Sequence, residues 1–133
     1  MRYLVTGSQM RAIDQDTIQN IGIPSLVLME RAAECVARKV EQLCDQKTLQ
    51  ILAICGVGNN GADGVAAARM LYLHGFDVLV VVVGNEAHAT KEFEVQKGIA
   101  EKLEIPVVDW EHFLHGEDEQ KAGDCAIIDA VFG

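Results

Sequence analysis

The residues with the clearest chemical potential stand together at Gly56-Val57-Gly58-Asn59-Asn60-Gly61-Ala62-Asp63-Gly64. Glycines let a backbone turn tightly and approach an anion, and the free amides at the start of a following helix attract phosphate. Gly56, Gly58 and Gly61 fit the G-x-G-x-x-G pattern of dinucleotide-binding turns, a match of moderate specificity when it stands alone. Gly56 and Gly61 also have P-loop spacing. Ala62 and Asp63, however, occupy the places where lysine and a serine or threonine would meet phosphates and magnesium, which disfavours a nucleotide triphosphatase.

Asp63 is awkward for a simple phosphate cradle, because a carboxylate in the first turn of an anion-binding helix repels the ligand unless something offsets it. It has two readings: a stabiliser of the helix N-terminus, worth about 0.3–1 kcal/mol, or a group that hydrogen-bonds ligand or transfers a proton. Asn59 and Asn60 can serve a turn simply by tolerating left-handed conformations. Two in succession between glycines, at the carboxyl end of a strand, favour function. Their side-chain oxygens and the loop carbonyls are hard neutral donors suited to an alkali or alkaline-earth cation, which a nearby carboxylate would complete. Asp129, at the exit of the apolar run Cys125 to Ile128, is the candidate carboxylate. Glu86 lies where a dinucleotide enzyme binds a ribose hydroxyl, though acids at strand ends are common. His74, His88, His112 and His115 lack neighbours at metal spacing and read as surface or capping residues.

These groups need elements to position them. Met10, Ile13, Thr17, Ile18 and Ile21 recur at helical spacing, with Ser8 placed to cap the start and Gly22 to end it. After Pro24, the stripe Leu28, Met29, Ala32, Ala33, Val36, Val40 and Leu43 predicts a second, longer helix. From Leu49 the grammar changes. Leu49 to Cys55 is a short apolar run ending at glycines, as a buried parallel strand would be. Val65 to His74 reads as a helix closed by Gly75, Asp77 to Val83 as a strand, Ala89 to Leu103 as a helix and Ile105 to Val108 as a strand. Trp110 to Gly123 reads as a short helix and loop before the strand Cys125 to Asp129. Such alternation implies right-handed crossovers and a parallel sheet covered on both faces, with two additional N-terminal helices. The fold class is therefore α/β, a three-layer Rossmann-like arrangement with a mostly parallel sheet.

With 133 residues, half of them apolar, the chain can bury one domain's core. Its net charge of −9 argues against attraction to nucleic acid or an anionic membrane. A phosphate-bearing ligand must then be held locally, by backbone dipoles or a cation. Cys35, Cys44, Cys55 and Cys125 show no metal spacing and read as reduced thiols. There is no secretory h-region and no apolar stretch of membrane-span length, so a cytoplasmic address is expected.

The stretch Cys55 to Val65, followed by Ala68-Arg69 and by Asp129-Ala130-Val131-Phe132-Gly133, resembles the two signature segments of the NAD(P)H-hydrate epimerase family, the YjeF N-terminal domain. Gln9-Met10-Arg11, Ile13-Asp14 and Leu28-Met29-Glu30 agree with its N-terminal pattern. The resemblance covers essentially the whole chain, so residues 1–133 read as one such domain, cut short at its C-terminal end. It implies interconversion of the R and S epimers of NADHX and NADPHX, with an ADP- or ATP-dependent dehydratase, separate or C-terminal, restoring the cofactors. It implies substrate contacts at Asn59, Asn60, Gly61, Ala62, Asp63 and Gly133, and a potassium ion held at Asn60 and Asp129. Asp63 is then the candidate acid-base group. The cation fits the electrostatics, since one positive charge offsets carboxylates beside phosphates. One departure is Ala62, where the family usually has glycine; a positive φ there would cost about 1 kcal/mol. The N-terminal apolar faces, including Met10, Ile13, Leu28 and Met29, suggest a homodimer. Relatives of this fold also act as scaffolds, so a non-catalytic nucleotide- or protein-binding module is the alternative, while an ordinary dehydrogenase has no use for the asparagine-rich loop.

Overall fold

The computed structural model describes residues 4–44, 49–116 and 125–132. Helix α1 (Gly7–Asp16) runs into a π-helical turn (Thr17–Ile21), followed by α2 (Ser25–Leu43), β1 (Gln50–Cys55), α3 (Asn59–Leu73) and β2 (Asp77–Val82). A short 3-10 turn (Glu86–His88), α4 (Lys91–Lys102), β3 (Val107–Asp109), α5 (Trp110–Leu114) and β4 (Cys125–Ala130) complete the order.

The cap of α1 is Thr6 rather than Ser8. Thr6 Oγ1 accepts from the Gln9 amide at 3.1 Å while Gln9 Oε1 accepts from the Thr6 amide at 2.8 Å, a reciprocal capping box. Ser8 lies inside the helix, its hydroxyl 3.0 Å from that of Thr6. Gly22 does end the segment, at φ +91°, where its amide reaches the Thr17 carbonyl at 2.9 Å. No residue of α1 is buried.

Helix α2 buries Met29, Ala33 and Ala37, a four-residue repeat narrower than the stripe expected, and leaves Ala32, Val36 and Leu43 exposed. The reason is small-residue packing: Ala33 meets Ala66 and Ala67 of α3, so the helices approach closely along that line alone. Beside it, Arg69 of α3 donates to both carboxylate oxygens of Glu30 of α2, at 2.7 and 2.5 Å.

All strand pairs in the four-stranded sheet are parallel, and the order is β3-β2-β1-β4. The chain steps outward from β1 to β2 to β3 and then returns to lay β4 on the other side of β1. That reversal makes the crevice between the carboxyl ends of β1 and β4 the topological switch point, where open α/β sheets bind ligands. One face of the sheet, through Ile51, Ala53, Cys55, Val78, Val80 and Val82, joins the main core with Met29, Val65, Leu71 and Phe93. The other, through Leu52, Leu79 and Val81, packs with Phe113 of α5, giving the third layer. Of the stretch Trp110 to Gly123, the short helix is seen as α5, and 117–124 lie outside the described residues.

Candidate nucleotide site at the β1–α3 junction

The glycine- and asparagine-rich segment is mostly helix, not loop. Only Gly56 to Gly58 form the turn; α3 begins at Asn59, six residues before the expected Val65. Gly58 stands at the N-cap in extended conformation with no side-chain cap, and the first intrahelical bond runs from the Ala62 amide to the Gly58 carbonyl at 3.0 Å. The amides of Asn59, Asn60 and Gly61 therefore open on the positive end of a 15-residue helix without a capping side chain.

Close packing explains most of the glycines. A Cβ on Gly61 would fall 1.7 Å from the Gly56 carbonyl oxygen, and one on Gly56 would meet the Val131 oxygen at 2.6 Å. A Cβ on Gly64 would strike the Ala130 Cβ at 2.6 Å and Cys55 Sγ at 2.9 Å. The first turns of α3 thus lie directly against the exits of β1 and β4. Gly58 is different: nothing lies within 4 Å of a Cβ there, so the apex of the turn borders open space. Ala62 is helical, and Glu104 is the one non-glycine of positive φ among the described residues, so alanine costs no backbone strain at 62. Its methyl is fully buried in the core.

Parallel pairing places Ile54 beside Asp129 and Cys55 beside Ala130, so the two sequence segments meet at adjacent strand exits. Asn60 is half-buried and donates through Nδ2 to the carbonyl of Phe132. Exposed Asp129 accepts from the Val131 amide at 3.2 Å through Oδ1. This corner collects a side-chain amide, a carboxylate and backbone carbonyls, all hard oxygen donors of the kind that an alkali cation prefers. Asn59 is exposed on the first turn, and Gly133 lies outside the described residues.

Asp63 sits in the second turn of α3, half-buried. Burial, helped by the charge of Asp14, pushes its carboxyl up from 3.8 to about 6. The helix N-terminus acts in the opposite direction and does not win. A carboxyl tuned to this range exchanges a proton readily near neutral pH. Asp14, on α1, is a neighbour that sequence reasoning gave no role; its only signal was membership of the Ile13-Asp14 pattern.

The weaker candidates resolve simply. Glu86 is paired through one carboxylate oxygen with Lys97 at 2.5 Å, an ammonium that also lies 3.6 Å from Glu101. His74 pairs with Glu41, and among the described residues no three His, Cys, Asp or Glu side chains are placed to hold a metal. All four cysteines are free thiols, and burial pushes that of Cys55 up to about 12, which makes it inert. No helix among the described residues is long and apolar enough to cross a membrane.

Comparison with known proteins agrees with this geometry. The chain is 43% identical over 97% of its length to the NAD(P)H-hydrate epimerase of Limosilactobacillus fermentum, and 41% identical over 98% to that of Limosilactobacillus reuteri. It spans 58% of the length of each of these curated relatives. A crystal structure of the yeast protein ynu0 (YNL200c) superposes with a TM-score of 0.85 at 26% identity, covering 99% of this chain and 57% of that one. The sequence profile of the family described as YjeF-related protein N-terminus matches residues 25–133, and with the fold and the β1–α3 corner as found, the chain belongs to that family.

Proposed function

We propose that this chain is the substrate-binding part of an NAD(P)H-hydrate epimerase, interconverting the R and S forms of NADHX and NADPHX. The observation that carries the reading is the uncapped N-terminus of α3 set at the β1/β4 switch point, with Asn60 tied to the Asp129–Phe132 exit. Free amides there suit a phosphate-bearing ligand, and the names of the relatives supply the substrate class. Epimerisation at the hydroxyl-bearing C6 proceeds by reversible ring opening or by loss and return of water. Both routes move a proton, and Asp63, poised near pH 6, is the group we assign to it. A potassium ion fits the donor set: Asn60 Oδ1 and the Asp129 carboxylate would hold it, where it would supply positive charge between carboxylates and ligand phosphates. Asn59 and the backbone of Gly61 through Asp63, together with the segment from Gly133, then line the ligand.

The test is full-length protein with NADHX and potassium, following R to S exchange. Exchange no faster than without protein refutes the reading. The non-catalytic scaffold reading predicts that null rate together with retained partner binding.

We further propose a homodimer through the N-terminal region, working beside a dehydratase in the cytoplasm. Met10, Ile13 and Ile21 of α1 and its π turn are 46%, 50% and 67% exposed, an apolar stripe that the described residues leave largely uncovered. Met29, by contrast, is spent in the chain's own core and lies outside that face. A monomeric mass by light scattering at tens of micromolar overturns the dimer.

A further inference from the structure

Of the asparagines in the chain, Asn60 alone is followed by glycine; Asn20, Asn59 and Asn85 precede isoleucine, asparagine and glutamate. A glycine in that place has no Cβ to block its backbone nitrogen from the preceding side-chain amide carbon, so Asn60-Gly61 is the step most open to loss of ammonia. Its position in the fold adds two favourable conditions. The Gly61 amide belongs to the uncapped first turn of α3 and has no intrahelical acceptor. It also stands at the positive end of a 15-residue helix, which favours the negative charge that the nitrogen acquires on giving up its proton. Two holds work against the reaction. The helical backbone keeps the Gly61 nitrogen out of line with the Asn60 side chain, and Gly61 lies so close on Gly56 that a Cβ would fall 1.7 Å from the Gly56 carbonyl oxygen. Asn60 Nδ2, the nitrogen that would leave, donates to the Phe132 carbonyl.

We propose that Asn60-Gly61 is a self-modification site, at which the corner converts its own asparagine to aspartate or isoaspartate when the first turn of α3 lifts off Gly56. The deprotonated Gly61 nitrogen attacks Asn60 Cγ, a nitrogen–carbon bond forms, the Cγ–Nδ2 bond breaks, and ammonia leaves with a proton from solvent. Water then opens the resulting five-membered imide. Cleavage of the new bond leaves aspartate, and cleavage of the original peptide bond leaves isoaspartate, so the net change is water taken up and ammonia released. The helix end is a place where such opening is least costly, because it carries no capping side chain. Aspartate at this position has no N–H for the Phe132 carbonyl and sets a negative charge beside the amides that suit phosphate. Only that last consequence rests on the nucleotide reading above.

The experiment ages the full-length protein in mildly alkaline buffer, folded and in urea, and follows Asn20, Asn59, Asn60 and Asn85 by peptide mass spectrometry with fragmentation. Asn59 shares the first turn and the helix field but not the glycine, so it is the internal control. In the folded protein Asn60 is expected to convert severalfold faster than the other three, yet roughly tenfold more slowly than in urea, where nothing holds Gly61 on Gly56. Conversion at Asn60 no faster than at Asn59 in the folded protein overturns the site. Equal rates at Asn60 folded and in urea overturn the gating by α3. The aged protein is then titrated with ribose 5-phosphate, which is expected to bind roughly tenfold more weakly than to fresh protein. Equal affinity in fresh and fully converted protein refutes the consequence for the corner. Fresh protein that does not bind ribose 5-phosphate overturns the nucleotide reading, while the mass measurement still decides the site.

Discussion

Replacing Asp63 by asparagine removes an ionisable group that the native state holds at a cost. The folded carboxyl titrates near 6 against an ordinary value of 3.8. Between those values the native chain binds more protons than the unfolded chain, so this group's contribution to stability falls as pH rises through that window and is flat above it. The full shift corresponds to about 3 kcal/mol above pH 7, and solvent access to a half-buried carboxyl trims this to about 1–2 kcal/mol. Asp63→Asn is therefore expected to stabilise the protein at pH 8 by that amount. Because part of the penalty survives at pH 5, the gain there is smaller by about 0.5–1 kcal/mol. Urea unfolding of wild type and variant at both pH values measures the difference, in which titrating groups that do not interact with Asp63 cancel. A gain equal at pH 5 and pH 8, or a loss at pH 8, refutes the reasoning, since it would mean that burial does not disfavour the charged form. The same substitution should abolish epimer exchange, and the wild-type rate should show an inflection near pH 6.

Further expectations follow from the packing of α3. Gly61→Ala forces a methyl onto the Gly56 carbonyl and should cost about 3 kcal/mol or more in urea unfolding, whereas Gly58→Ala should stay within about 1 kcal/mol and mainly weaken nucleotide binding. Asp129→Asn keeps an oxygen for the Val131 amide, so the unfolding midpoint should hold while titrations lose their dependence on added potassium. Glu30→Gln strands the Arg69 guanidinium, 16% exposed, and should cost about 1–2 kcal/mol in the same assay.

Most of the architecture was legible because strand and helix periods differ and the glycines punctuate them. The order of elements, the parallel sheet and the Gly22 stop all follow from those signals. The start of α3 was not legible. Asn59 to Gly64 carry the low helix propensity and turn chemistry of a loop, and contacts of Gly61 with Gly56 and Gly64 with Ala130 override it. Thr6 could have been found, since Thr6 and Gln9 have capping-box spacing; Ser8 was merely nearer the apolar stripe. In the site, residue types were readable but proximity was not. That Asp129 stands beside Ile54 depends on β4 returning to β1, a choice no local pattern encodes. Asp14 was hidden for a related reason, because a helix with no buried residue leaves no trace of where it lies.

The return of β4 to the side of β1 also governs when the corner can exist during folding. Asn60 and Phe132 are separated by 72 positions, and closing a loop of that length costs about 4 kcal/mol of chain entropy. Neighbouring pairs such as β1 with β2 close far shorter loops and should form earlier. The three-stranded β3-β2-β1 unit can therefore assemble while the nucleotide corner is still half made. Ligand affinity then reports completion of the sheet, and a ligand that bridges α3 and the β4 exit slows unfolding by holding together the two segments that join last.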